Sequence, residues 1–510
     1  MNKSVLALVF MSAIASVARA ADGPAPAAPS TPEACASFEE FVATACPLTW
    51  HGITIYGAYD VGLGWVSHGL PENGYNYEGE SLVNRNGNNS RFVIAPNNLS
   101  QSGLGIKGKI EFMADWYAVF NASTGINPQS GQLANMAATN TTNNGLPRYA
   151  YSITGDGARA GQAFNDEYYG GASSTYLGTL TFGRQRSLGT DVVLAYDPAN
   201  GAYSFSYIGY NGTTAGGGDT EDTRWDEAIK YRVAYGPVHF GAMYKFVDGS
   251  GGCYSASGTW SAATCTPEQA HNSAYGFDLG AEYGKFSADL VFQHYNQAIS
   301  VLNPLLGPQS LAAPYQSTTN SINTNPINGV NLIGTDNTEY GIVTDNTAVM
   351  FAAKYFWDPF KFYVGYEHIQ QFNPTNPLGV GASAQGGYLL SGVEDNNLDS
   401  PKLVQIAWTG VKYAYDSQTD ITLSYYHQWQ NDFRVPPACP PASFRASCSG
   451  FLNEVSLYTD HHFTKRFDAY AGIAYSNVSG GLAIAIPHGP GVPYNYNSNV
   501  APTIGARFTF

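Results

Sequence analysis

From Ile53 to Trp65 the hydrophobic side chains fall on the odd positions: Ile53, Ile55, Tyr59, Val61, Leu63 and Trp65, with Gly57 the one exception. The even positions are mostly small or polar, Asp60 among them. Period-two alternation is the signature of a β-strand whose two faces meet different surroundings. Unbroken alternation of this length is unusual for strands of globular proteins, which run to about five or six residues. It suits a strand of which ~10 residues cross a hydrocarbon layer, apolar towards lipid and polar towards a lumen.

The same pattern recurs along the chain. Phe286, Ala288, Leu290 and Phe292 alternate with Lys285, Ser287, Asp289 and Gln293, and Phe360, Phe362, Val364 and Tyr366 with Lys361, Tyr363 and Glu367. Ile421, Leu423 and Tyr425 face away from Thr422, Ser424 and Tyr426, and Phe467, Ala469, Ala471, Ile473 and Tyr475 from Asp468, Tyr470 and Gly472. The chain closes on Ile504, Ala506, Phe508 and Phe510 against Thr503, Gly505, Arg507 and Thr509.

Sixteen such segments lie near 52–66, 101–111, 114–124, 164–176, 177–186, 223–235, 236–247, 274–284, 285–297, 346–357, 358–372, 402–416, 417–432, 451–464, 465–478 and 500–510. Tight turns, such as Tyr235-Gly236-Pro237 and Tyr283-Gly284-Lys285, alternate with long polar loops, the longest at 298–345. An even number of strands closes into a barrel with no free edge. Sixteen leave a water-filled channel. The predicted fold is all-β: a 16-stranded antiparallel transmembrane β-barrel over 51–510, with short periplasmic turns and long external loops. Composition agrees, with Gly 56, Tyr 36 and Phe 26 of 510 residues and only 12% charged. After the N-terminus no apolar run approaches the ~20 residues that a spanning helix needs.

Residues 1–20 read as a secretory signal: Lys3 is the basic start, Val5 to Val17 the short apolar region, and Ala18-Arg19-Ala20 the small-residue cleavage pattern. Residues 21–50 are a Pro/Ala-rich linker followed by a short segment, Cys35 to Cys46, with Phe38, Phe41 and Val42 at helical spacing, which predicts a clipped plug or cap at the periplasmic end. The six cysteines form close sequential pairs, Cys35/Cys46, Cys253/Cys265 and Cys439/Cys448; export favours disulfides, although six cysteines allow 15 connectivities. No CxxC-type spacing suggests a metal. A formal charge of −15 argues against a nucleic-acid partner.

One stretch stands apart. Thr179 to Arg186 reads as a strand, Leu188 to Thr223 as a long Gly-, Asp- and Tyr-rich loop without helical periodicity, and Arg224 to Tyr231 as the next strand. Loops of that length are uncommon in compact folds and usually functional. This one is predicted to fold into the barrel mouth as a constriction loop.

From about residue 51 onward the chain resembles the general porins of Gram-negative outer membranes. The likeness rests on Ile53-Thr54-Ile55-Tyr56-Gly57, Leu104-Gly105-Ile106-Lys107-Gly108, Thr181-Phe182-Gly183-Arg184-Gln185 followed by Asp197-Pro198, Arg224 to Tyr231, Leu457-Tyr458 to Arg466, and the final Arg507-Phe508-Thr509-Phe510. The resemblance implies a homotrimer in the outer membrane among lipid and lipopolysaccharide. It implies passive diffusion of ions and small hydrophilic solutes past a third loop that faces basic wall residues, and recognition of Phe510 by the barrel-assembly machinery. Where the family usually has an Arg before the Leu-Gly-Phe-Lys-Gly pattern, this chain has Gly103, with Arg91 as a substitute.

The candidate wall cations are Arg184, Arg186, Arg224, Lys107 and Lys230, and the candidate loop carboxylates Asp191, Asp197, Asp219, Glu221 and Asp222. Opposed charges in a narrow aqueous gap bias which ions pass. Strict alternation from Leu180 and Phe182 puts Arg184 and Arg186 on the lipid face, so a β-bulge or the strand end must intervene. The aromatic surplus reads as interfacial girdles, although Tyr56, Tyr363, Tyr426 and Tyr470 have lumen parity and keep a substrate-specific channel open as the alternative. A hydrolase or a soluble secreted β protein ranks below it. No cofactor is implied: Gly379 to Ala384 lacks a strand–helix setting, and adjacent His461 and His462 point to opposite faces.

Overall fold

The computed structural model describes residues 35–70, 89–126, 128, 163–210, 223–247, 253–254, 260–261, 271–302, 339–377, 383–385, 388–394, 398–433, 448–483 and 496–510. The signal segment 1–20, the Pro/Ala linker, Asp219, Glu221, Asp222, Cys265, Cys439 and the side chain of Cys253 lie outside these residues.

Sixteen long strands form the wall: β1 Ile53–Val66, β2 Gly103–Met113, β3 Trp116–Gly125, β4 Glu167–Ser174, β5 Gly178–Arg186, β6 Arg224–Tyr235, β7 Val238–Lys245 and β8 Ala274–Tyr283. They continue with β9 Phe286–Leu302, β10 Glu339–Trp357, β11 Phe360–Phe372, β12 Lys402–Ala414, β13 Thr419–Gln430, β14 Gly450–His462, β15 Phe467–Gly480 and β16 Ser498–Thr509. Each pairs antiparallel with the next. β16 returns to β1, from Ala58 opposite Thr509 to Gly64 opposite Thr503, and closes the barrel. All sixteen coincide with the segments read from the alternation. The longest loop is shorter than expected, because β9 and β10 stay paired past a bulge at Tyr295/Ala298 as far as Leu302 opposite Tyr340.

The burial pattern is inside out relative to a soluble protein. Leu63, Leu279, Val364, Leu457 and Ile504 are exposed, while Asp60, Asp278, Glu367, Glu454 and Ser476, on the opposite parity, are buried. Apolar side chains on the outer surface and carboxylates within are stable only if the outside is hydrocarbon and the inside is polar.

The segment before the barrel is clipped by a Cys35–Cys46 disulfide, with Cα atoms 5.2 Å apart. Cys448 is also disulfide-bonded. Within the clip, α1 Phe38–Ala43 is capped by Ser37, whose Oγ accepts from the Glu40 amide at 3.1 Å. Phe41 packs edge-on to Phe508, beneath the Arg466 guanidinium, which also donates to the Phe41 and Cys46 carbonyls. Leu48–Trp50 then pairs with Ile53–Ile55 on the edge of β1 that β16 covers further along. The turn between them uses positive φ at His51 (47°) and Gly52 (79°). The clip therefore seats on the seam where the first and last strands meet.

Candidate functional site

Between β5 and β6 the chain turns inward. Contrary to the sequence reading, it opens with a helix, α2 Leu188–Tyr196. The signal was present in Leu188, Val192, Val193 and Tyr196, which recur at helical spacing. Ser187 caps it, its Oγ accepting from the Thr190 amide at 3.2 Å. The Thr190 hydroxyl and the Ser187 amide both donate to the Thr223 carbonyl, at 3.0 Å each, and so tie the two ends of the loop together.

All four apolar residues are buried in one cluster with wall side chains that include Trp225, Met243, Val291, Met350 and Trp408. The Gly189 amide donates to Gln293 Oε1 at 2.6 Å, and Trp408 Nε1 donates to the Tyr196 carbonyl at 3.2 Å. The helix thus lies against the inner face of β7 to β12.

Near its start Asp191 meets the wall. Lys230 Nζ stands 2.6 Å from Asp191 Oδ2, and Arg232 donates to the same oxygen while reaching Asp278 Oδ2 at 3.3 Å. Burial works to raise the Asp191 carboxyl, but these two cations outweigh it and hold it below its ordinary value.

Past the helix the chain is held by hydrogen bonds and packing against uncharged wall side chains. Buried Asp197 accepts the Tyr426 hydroxyl at 2.5 Å and the Gly201 amide at 2.6 Å. Burial pushes its carboxyl above the ordinary value against those hydrogen bonds. Pro198 sits over Gly410, where a Cβ would fall 2.5 Å from the proline ring. Phe205 stacks on Tyr458 with ring centroids 4.6 Å apart, and its carbonyl accepts the Ser456 hydroxyl at 2.5 Å. Ser204 Oγ donates to Asn98 Oδ1 at 2.5 Å, and Tyr470 donates to Asp60 at 2.5 Å alongside. The described part of the loop reaches the short α3 Tyr207–Tyr210. Residues 187–208 therefore run from the β5–β6 wall across to β13–β15.

The other candidates divide. Arg186 and Arg224 converge on Asp166, at 3.3 and 2.7 Å, and Ser123 Oγ donates to the same carboxylate at 3.0 Å. Lys107 is exposed on lumen parity, 4.9 Å above the Tyr56 ring. Arg184 departs from the expected wall position. The anticipated bulge is present, between Gly183 and Gln185 opposite Ala228 and Trp225. Even so, Arg184 stays in register with exposed Tyr168, donates to the Asn165 carbonyl and pairs with Asp226 at 2.8 Å. It holds the loop end of the wall from its outer side.

Three participants escaped the sequence reading. Arg232 lies two residues from Lys230 on the same strand face, a spacing that could have revealed it. Asp166 and Asp278 gave no comparable signal. Of the lumen-parity tyrosines, Tyr426 and Tyr470 secure the inner segment or its seat, and Tyr56 donates to Asn121 at 2.6 Å.

A family model described as Gram-negative porin matches residues 5–481. Among solved structures, the anion-selective porin from Comamonas acidovorans is 14% identical with a TM-score of 0.52, over 90% of this chain and 99% of that one. OmpT, an outer membrane protein of Vibrio cholerae, is 13% identical with a TM-score of 0.50, over 91% and 99%. Its trimer form is 12% identical with a TM-score of 0.50, over 90% and 99%. At such identities the likeness concerns the fold. No match is found among curated proteins. Closed wall, polar interior and family match agree on an outer-membrane channel for passive diffusion rather than an enzyme, and the chain belongs to the Gram-negative porin family.

Proposed function

We propose that residues 188–223 form the constriction of this channel and that ions and small hydrophilic solutes diffuse past it. The observation that carries the reading is the course of 187–208 along the inner wall, fixed at both ends. Lys107, Arg186, Arg224, Lys230 and Arg232 supply the positive charge beside the constriction, with Asp166, Asp191 and Asp278 paired directly against the last four. Because Asp191 touches Lys230, that pair works as an anchor, and the bulk of the segment sets the width. Asp219, Glu221 and Asp222 are proposed to add negative charge to the same loop, with Arg184 bracing its base.

The protein is further proposed to be exported by the 1–20 signal and to assemble as a homotrimer among lipid and lipopolysaccharide, with Phe510 read by the barrel-assembly machinery. The trimer form of Vibrio cholerae OmpT supports the assembly. No catalytic role is assigned. Planar-bilayer recording tests the reading: large ohmic steps in threes are expected, with a reversal potential under a salt gradient that reports ion preference. Small steps blocked saturably by one sugar or organic acid would favour a substrate-specific channel instead.

A further inference from the structure

Beside the helix, three side chains on adjacent strands converge inside the barrel. They are His239 on β7, Asp278 on β8 and Asp289 on β9. His239 Nε2 lies 2.5 Å from Asp289 Oδ1, and one ligand atom from each of the three lies within 4.8 Å of the others. The register explains the meeting. Gly280 of β8 stands opposite both His239 and Asp289, and Asp278 lies two residues away on the same face. Only a glycine leaves room there: a Cβ would fall 1.7 Å from Asp289 Oδ1 and 2.2 Å from His239 Nε2.

A second feature favours a cation at this place. Asp278 is 2% exposed, and its Oδ1 has no hydrogen-bond partner, while Oδ2 alone accepts from Arg232 at 3.3 Å. A buried carboxylate oxygen without a donor, close to a second carboxylate, is unfavourable unless a cation or a shared proton joins the pair.

We propose that His239, Asp278 and Asp289 bind a divalent first-row transition-metal ion of the Zn2+ class inside the barrel. One imidazole nitrogen and two carboxylate oxygens suit such an ion, whereas Mg2+ and Ca2+ favour all-oxygen sites. Three protein ligands leave a coordination position open to water or a passing anion. His239 is partly exposed and gives the ion its entry. In the similar cluster Asp460, His462 and Asp468, Arg507 reaches both carboxylates, 2.6 Å from Asp468 and 3.6 Å from Asp460, whereas Arg232 meets Asp278 of the proposed site at 3.3 Å. That cluster provides a control.

The test is isothermal titration of Zn2+ into metal-stripped, detergent-purified protein, with Co2+ absorption as a second readout. One ion per chain is expected. Asp278→Asn and His239→Ala should each weaken binding at least tenfold, while His462→Ala leaves it unchanged. Gly280→Ala keeps all three ligands but fills their space, and should weaken binding as well. Strand circular dichroism establishes that each variant is folded before titration. No Zn2+ uptake by the wild type, equal uptake by folded His239→Ala and Asp278→Asn variants, or loss with His462→Ala alone would overturn the proposal.

Discussion

The two ends of the inner segment are held by different physics. At Asp191 the contact is ionic and partly hydrated, shared between Lys230 and Arg232. From Asp197 to Phe205 it is buried, uncharged on the wall side, and shaped by glycines that admit Pro198 and Phe205. Screening and protonation weaken the first kind, whereas the second responds chiefly to shape and unmet hydrogen bonds. One segment can thus loosen at one end while staying seated at the other.

The largest effect is expected from filling the glycine seats. At Gly472 a Cβ would stand 2.3 Å from Tyr458 Cβ and 2.7 Å from the Phe205 ring. Gly472→Ala should therefore cost about 1–3 kcal/mol of overpacking. It should unseat residues 197–208, measurable as faster limited proteolysis of the segment in an otherwise heat-stable barrel.

Next comes Tyr426→Phe, which removes one hydroxyl donor from buried Asp197 and leaves it the Gly201 and Ala199 amides. A loss of about 1.5 kcal/mol is expected in denaturant titration. Asp191→Asn should cost less, about 1 kcal/mol, since Asp191 and Arg232 are partly exposed and solvent screens the pair. Raising salt from 0.1 to 1 M shortens the screening length from about 10 to about 3 Å. That change should mimic Asp191→Asn in channel noise and leave Tyr426→Phe unaffected.

The smallest effect is acid. Asp191, with its pKa lowered, stabilises the fold above its unfolded value of 3.8, and that contribution disappears only as pH falls through its still lower folded value. Asp197, with its pKa raised, takes up its proton in the folded state above 3.8, so mild acid slightly tightens that end. Conductance recorded from pH 7 downward should hold steady and become noisier only below 3.8. Earlier loosening would reverse the assigned roles of the two ends.

The wall was legible because alternation is a local property: each strand declares its two faces within its own residues, and closure follows from an even strand count. Alternation also set Arg184 on the outer parity it keeps in register with Tyr168. Arg186 could not be placed this way, because its face depends on how the Gly183 bulge meets β6. The buried anchor was beyond reach for a different reason: Tyr426 and Asp197 are 229 residues apart, and nothing local to either names the other. Gly410 and Gly472 read as ordinary strand glycines until Pro198 and Phe205 are placed over them.

The central claim is that this inner segment, held at both ends, sets the width of the pore. Single-channel conductance of the wild type against a variant carrying both Asp191→Asn and Tyr426→Phe tests it most directly. Release of both anchors should give larger, noisier steps from a barrel of unchanged strand content. Steps indistinguishable from wild type would contradict it and place the constriction elsewhere.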